Sequence, residues 1–241
     1  MRISDDLVLR VDGLSKHYGK LQAVKNMSFS VRRGEIFGIM GPNGAGKSTS
    51  LECILGTKKK DGGLVTILGM DSAIERPKVF ARVGVQFQDS AWQVGIKVWE
   101  ICEATACLYS PVPNWRRLLK KFDLEKREKA EVSTLSGGER QKLAILLACI
   151  HSPELVFLDE LTAGLDPLAR RQMWFFIKSI QEEGTTVVLT SHYMDEVEAL
   201  CQRGLMIKDG LVVAEGSIQE LIEAGRGKNL DESYVKIMEA S

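Results

Sequence analysis

The stretch "GPNGAGKST", Gly41 to Thr49, sets a lysine and two hydroxyls directly behind a glycine-rich turn. It fits the pattern G-x-x-x-x-G-K-[ST]. The apolar segment "EIFGIM", Glu35 to Met40, runs into it as a strand, and a helical pattern follows through Leu55. That context makes the stretch a phosphate cradle. Gly44 and Gly46 let backbone N–H groups converge on a β-phosphate without side-chain obstruction. The helix N-terminus adds partial positive charge. Lys47 neutralises β/γ oxygens, Ser48 offers a hydroxyl to Mg²⁺, and Thr49 reaches the α-phosphate. Gly41, Pro42, Asn43 and Ala45 complete the phosphate-binding loop.

A second set of groups lies in "LVFLDELTAGLD". Here a very apolar strand ends in Asp159 and Glu160. Burying two carboxylates at such an end is costly unless they serve a purpose. Beside a phosphate cradle the purpose is catalysis. Asp159 holds Mg²⁺, directly or through water, and Glu160 polarises the attacking water as general base.

A third feature, "TLSGGERQ" from Thr134 to Gln141, also looks built to hold a phosphate. Its presence so far from the first cradle needs a reason. At this point the residues resemble the nucleotide-binding subunit of ATP-binding-cassette (ABC) transporters. The resemblance covers nearly the whole chain and keeps the family's motif order. It implies that Ser136, Gly137, Gly138 and Glu139 bind the γ-phosphate of ATP held by a second subunit, so that two chains pair head to tail. It implies that Tyr18 in "LSKHYGK" stacks on adenine. Gln88 in "GVQFQD" would contact Mg²⁺ and the water and sense a transmembrane partner; Gln86 is its rival. Asp166 in "AGLD" matches a loop that communicates across the dimer, and His192 in "LTSHYMDE" matches a γ-phosphate switch. Three positions depart from the pattern. Glu139 replaces the common glutamine, Leu161 stands where proline is usual, and Gln202 precedes Arg203 where aspartate is common.

The elements that must position these groups follow from patterning. Leu7, Leu9 and Val11 alternate, as do Met27, Phe29 and Val31, and both runs read as half-buried antiparallel strands. Further strands are expected at Leu64–Leu68, Arg82–Phe87, "LVFLD" and "TVVLT", with "LVFLD" central and parallel. Strands alternating with helices predict an α/β, P-loop NTPase core with a mostly parallel sheet and an N-terminal antiparallel β subdomain. The segment 91–150 is poor in strand signals and reads as an inserted α-helical subdomain carrying the "LSGGE" motif, with Asn114 as a helix N-cap. Residues 1–90 and 151–241 form the rest of a single ATPase domain. A hairpin over Gly204–Ile207 and Leu211–Ala214 turns at "KDG", and helices reach the C-terminus.

Composition narrows the classes. The chain has 241 residues, 44% of them hydrophobic, and its 32 Lys and Arg balance 32 Asp and Glu. A neutral chain lacks the footprint of a nucleic-acid binder. The five cysteines form no C-x-x-C pair, which argues for reduced thiols and against zinc. No signal peptide or membrane-spanning run is seen, so the protein is expected to be cytosolic or to dock on a membrane from the cytosolic side; the resemblance places it there through a separate permease. The stretches "GEIFGIMGPNGAGKST" and "LTAGLDPLARRQMW" resemble ATPases of exporters with separate six-helix permeases, the ABC-2 group. The chain's end at "YVKIMEAS" leaves no room for the regulatory domain of many sugar importers. An importer ATPase and a soluble, non-transport ABC ATPase are the alternatives. A groove near Gln88 and Trp92 is expected to take a short permease helix; Trp92 and Trp99 line it or belong to the core.

Overall fold

The computed structural model describes residues 6–87 and 92–240. Two long strands open the chain, β1 (Leu7–Tyr18) and β2 (Leu21–Arg32), paired antiparallel. With β4 (Gly62–Ile67) and β5 (Met70–Asp71) they form a four-stranded antiparallel sheet in the order β2-β1-β4-β5. Between them come β3 (Ile36–Met40) and α1 (Lys47–Ile54). The short α2 (Arg76–Phe80) leads into β6 (Val83–Gln86). Three helices follow: α3 (Val98–Ala106), α4 (Trp115–Lys121) and α5 (Gly137–Ala148). The remaining elements are β7 (Leu155–Asp159), α6 (Pro167–Glu182), β8 (Thr186–Ser191), α7 (Met194–Leu200), β9 (Arg203–Lys208), β10 (Leu211–Ser217), α8 (Ile218–Gly225) and α9 (Leu230–Ala240).

The second sheet has six strands in the order β10-β9-β3-β8-β7-β6. Every pairing in it is parallel except β9 with β10. That exception is a hairpin turning on Asp209 and Gly210, both at positive φ (49° and 79°), the backbone that a two-residue turn between twisted strands requires. The apolar "LVFLD" strand is buried along its whole length and parallel, as its composition predicts. It is interior but not central: β3 and β8 hold the middle, and β7 lies one place from the β6 edge.

Side chains alternate across this sheet and so feed two separate cores. Ile36, Met40, Val156, Leu158, Val187 and Leu189 enter the core shared with α3 to α9. Phe37, Ile39, Leu155, Phe157, Val188 and Leu205 enter the core shared with α1 and the antiparallel sheet. Each such side chain contributes about 1.5–3 kcal/mol by leaving water. The N-terminal strands therefore cover one face and the helices the other. Asn114 sits at the N-cap position of α4, yet its side chain makes no capping bond. Four cysteines are buried and Cys107 is exposed, in keeping with reduced thiols packed among apolar groups.

The edge strand β6 approaches α5 unusually closely. A Cβ on Gly84 would lie 2.0 Å from the Ala148 carbonyl oxygen at the end of α5. Gly84→Ala must therefore push strand and helix apart. The expected cost is about 1–3 kcal/mol, read as a lower urea midpoint at unchanged slope.

Candidate nucleotide site

The functional groups gather at the C-terminal ends of β3, β7 and β8, the usual place for a ligand on an open α/β sheet. The glycine loop leaves β3 and enters α1 at Gly46, whose φ is 106° and whose side no side chain caps. Glycine is required there. A Cβ would stand 2.4 Å from the Ala23 carbonyl oxygen on β2. The loop is also held by the β9–β10 turn, where the Gly210 N–H donates to the Ala45 carbonyl at 3.0 Å. Both sheets thus grip the cradle.

Lys47 is only 4% exposed. Its ammonium donates to the Gly41 carbonyl (2.9 Å) and the Pro42 carbonyl (3.2 Å) and lies 3.2 Å from Glu160 Oε1. A buried cation needs such partners. Asp159, 3% exposed, accepts a hydrogen bond from the Thr190 hydroxyl, its neighbour in the parallel β7–β8 register. Burial raises the Asp159 pKa, while bonds from Thr190 and Ser48 and the charge of Lys47 pull it down. Ser48 and Asp159 therefore meet across the loop, two hard oxygen donors of the kind Mg²⁺ takes. No group of three or more His, Cys, Asp or Glu among the described residues forms a metal cluster, so any ion here would draw its other ligands from nucleotide and water.

Glu160 leaves the strand with φ at 47°. Its N–H donates to the Thr190 hydroxyl (3.0 Å) and the Thr190 carbonyl (3.2 Å). These bonds aim the carboxylate toward Lys47 and toward His192, whose Nδ1 is 3.5 Å away. The residues expected to do chemistry, Lys47, Ser48, Asp159, Glu160 and His192, are thus brought together. Tyr18, 43% exposed, ends β1 with the Lys16 and Lys58 ammonium groups 5.2 and 5.8 Å from its ring centre. Gln88 lies outside the described residues. Gln86 is buried at the end of β6, where its amide donates to the Phe87 carbonyl at 2.6 Å.

The glycine pair after Ser136 is elsewhere. Ser136 is the N-cap of α5 in a capping box: its hydroxyl accepts from the Glu139 N–H (3.2 Å) and its N–H donates to Glu139 (2.8 Å). Gly137 and Gly138 pack toward Leu165 and Ala169, and the four signature residues line a 270 Å³ cavity with Asp166, Lys142 and Gln172. α5 belongs to the core on the opposite sheet face from α1. Asp166 itself caps α6, accepting from the Leu168 and Ala169 N–H groups at 2.9 and 3.0 Å.

The three departures acquire physical accounts. The Glu139 carboxylate closes the capping box and pairs with Arg127 at 2.7 Å. Leu161 is a buried core side chain whose carbonyl accepts from the Gln141 amide. The Gln202 side chain accepts the Ile36 N–H at 2.6 Å, and its own N–H donates to the Ile36 carbonyl at 3.0 Å. It anchors the start of β3, so an amide serves where a carboxylate is common. Sequence reasoning missed Thr190, Arg127 and Glu196. Of these only Thr190 left a signal, since a parallel register of the two apolar strands sets it opposite Asp159.

The ABC transporter family model matches residues 24–163. The chain belongs to the ABC transporter ATP-binding family. Its reaction is the hydrolysis of ATP to ADP and phosphate. Over 232 residues it is 37% identical to the Nod factor export ATP-binding protein I of Ralstonia nicotianae, which covers 94% of this chain and 72% of that one. It is 36% identical over 219 residues to the linearmycin resistance ATP-binding protein of Bacillus subtilis, covering 89% and 70%. Among solved structures, the ATP-binding subunit of an ABC transporter superposes with a TM-score of 0.86 at 28% identity, covering 95% of this chain and 99% of that one. Family members use ATP with Mg²⁺, and the oxygen donors at Ser48 and Asp159 suit that ion.

The Glu139 carboxyl is held below the usual glutamate value, first by Arg127 and then by the Ser136 N–H. A carboxyl depressed in the folded state adds stability above its unfolded pKa, about 4.3, and loses it as pH falls through the folded value. Glu139→Gln keeps the box but not the ion pair. It should cost about 0.3–1 kcal/mol at neutral pH, and in urea titrations the two proteins should converge only as pH falls through the depressed folded value.

Proposed function

We propose that this chain drives export of a substrate through separate transmembrane permease subunits, acting as one half of a cassette dimer on the cytosolic face of the membrane. The observation that carries the dimer is the separation of the two phosphate cradles onto elements backed by opposite faces of one sheet. A single chain then contains half of each complete site. ATP on the loop 41–49 of one subunit meets Ser136, Gly137, Gly138 and Glu139 of the other, with Asp166 beside the seam. Export follows the names of the relatives, and a separate permease fits a chain in which no helix among the described residues is long and apolar enough to cross a membrane.

In the mechanism, the loop N–H groups and Lys47 bind the β- and γ-phosphates, and Tyr18 stacks on the base. Ser48 and Asp159, with Gln88, would hold Mg²⁺, which when bound neutralises phosphate charge. A γ-phosphate competes with the Glu160 carboxylate for the Lys47 ammonium, now 3.2 Å apart. Released, Glu160 accepts the proton of the attacking water, and His192 contacts the γ-phosphate. The triphosphate bridges two subunits, and its cleavage removes the bridge, an order-driven switch. The permease helix docks where Gln86, Trp92, Thr105 and Tyr109 line a 290 Å³ groove between β6 and α3. Trp92 is half-buried against the helical core and Trp99 is exposed, so Trp92 is the better wall of that groove.

Four outcomes test this reading. Glu160→Gln should bind ATP, lose turnover about 10²-fold or more, and run as a dimer in gel filtration with ATP; persistent turnover from a monomer contradicts the assignment. Lys47→Ala should weaken ATP affinity in equilibrium binding. Mixed Lys47→Ala and Ser136→Arg chains should crosslink ATP between subunits at one intact composite site, whereas a crosslink from Ser136 to ATP on its own loop ends the trans arrangement. Co-purification with a hydrophobic membrane protein supports the transport role.

A further inference from the structure

Glu196 on α7 is a carboxylate only 2% exposed, and no step above uses it. Its two oxygens face different segments. Oε2 accepts the Ser191 hydroxyl at 2.6 Å, and Ser191 directly precedes His192. Oε1 accepts the Trp174 indole N–H at 3.3 Å, and Trp174 lies two turns into the helix that Asp166 caps. The Thr162 hydroxyl, two residues beyond Glu160, is fully buried and also faces the carboxylate.

The surroundings extend the same link. The Ser191 hydroxyl also accepts the Tyr193 N–H at 3.0 Å. The Tyr193 ring lies 4.1 Å from the His192 ring, and the Arg170 guanidinium of α6 stacks over it at 4.1 Å. Arg170 is held in turn by Asp195 at 3.2 Å. A buried acid is costly to keep without partners. Here the partners come from the segment after β7, the end of β8 and α6, next to Glu160, His192 and Asp166. Burying the acid therefore constrains where those segments sit.

We infer that Glu196 is a positioning residue for ATP hydrolysis, a buried clamp that holds the His192 turn against α6 and the segment after Glu160. It is not among the groups assigned above to nucleotide or water. It acts through Ser191 and Trp174, and it sets how close His192 stands to the Glu160 carboxylate. The clamp depends on reach more than on charge. A glutamine can accept from Trp174 with its oxygen and donate to the Ser191 hydroxyl, which reverses that bond without breaking the link. An alanine cannot. The inference rests on the roles proposed above for Glu160 and His192.

The experiment is steady-state ATPase on the full chain, for Glu196→Ala and Glu196→Gln in wild-type and His192→Ala backgrounds. Small displacements of reacting groups cost rate steeply. Glu196→Ala should lower kcat about 10- to 100-fold with KM for ATP nearly unchanged, and Glu196→Gln should stay within about threefold of wild type. In the His192→Ala background the same alanine change should cost less than about threefold, because coupled residues are not additive. Loss of turnover in His192→Ala alone checks the underlying reading separately. The clamp is overturned if Glu196→Ala keeps wild-type kcat, if it costs equally in both backgrounds, or if KM rises in step with kcat's fall. Should Glu196→Ala fail to fold, Trp174→Phe removes one bonded donor and keeps an aromatic side chain at that place. It should lower kcat severalfold at constant KM, and an unchanged kcat overturns the clamp.

Discussion

The buried charge at the C-terminal end of β7 is the constraint around which the rest is arranged. Lys47 and Asp159 are almost wholly out of water, and Glu160 pairs with Lys47 beside them. Such groups persist in a protein interior only when each has a partner. Lys47 is satisfied by two carbonyls of its own loop and by Glu160. Asp159 is satisfied from the neighbouring strand by Thr190 and from the loop by Ser48. The strands β3, β7 and β8 must therefore end at the same level, which their parallel registers provide. The site is a set of mutually dependent charges, each holding another in place.

The second consequence is spatial. Period-two alternation divides the six-stranded sheet into two unlike faces. One face takes α1 and the antiparallel sheet, the other takes α5 and its neighbours. The glycine loop and the Ser136 turn are thereby rooted on opposite sides of a layer that cannot bend to join them. That geometry is what the proposed division of labour between subunits would use. It also explains why the turn at Ser136 is already complete as a helix start: its capping box satisfies the local N–H and hydroxyl groups, and Arg127 offsets the carboxylate that Glu139 adds.

The same economy of partners runs through the second row of residues. Asp166 caps α6, Gln202 pins the start of β3, and Glu196 joins the ends of β8 and α6. In each case a polar side chain meets a backbone or side-chain group that would otherwise be buried unpaired, and in doing so fixes the relative position of two elements. Departures from a family pattern are tolerated where the replacement meets the same hydrogen-bonding demand. The amide of Gln202 accepts an N–H as a carboxylate would, and Leu161 keeps its carbonyl in use by Gln141.

Much of this was legible in residue order alone. The cradle from Gly41 to Thr49 and the acidic pair Asp159–Glu160 declare themselves because glycine, lysine and adjacent carboxylates have few other uses after apolar strands. The alternating pattern of the N-terminal strands and the apolar runs later in the chain foretold both sheets, since burial on one face or two leaves different periodicities. Strand order was not legible: a strongly apolar strand reads as central, yet β7 lies next to the edge strand, because an interior place one from the edge demands the same composition. Nor could the linear chain reveal that Gln202 holds Ile36 or that Glu196 is buried, for these are contacts across 166 and 22 positions at the widest. Local chemistry is written in neighbouring residues because it depends on backbone freedom and side-chain type. Which polar groups become each other's partners is decided only when the layers close and water leaves.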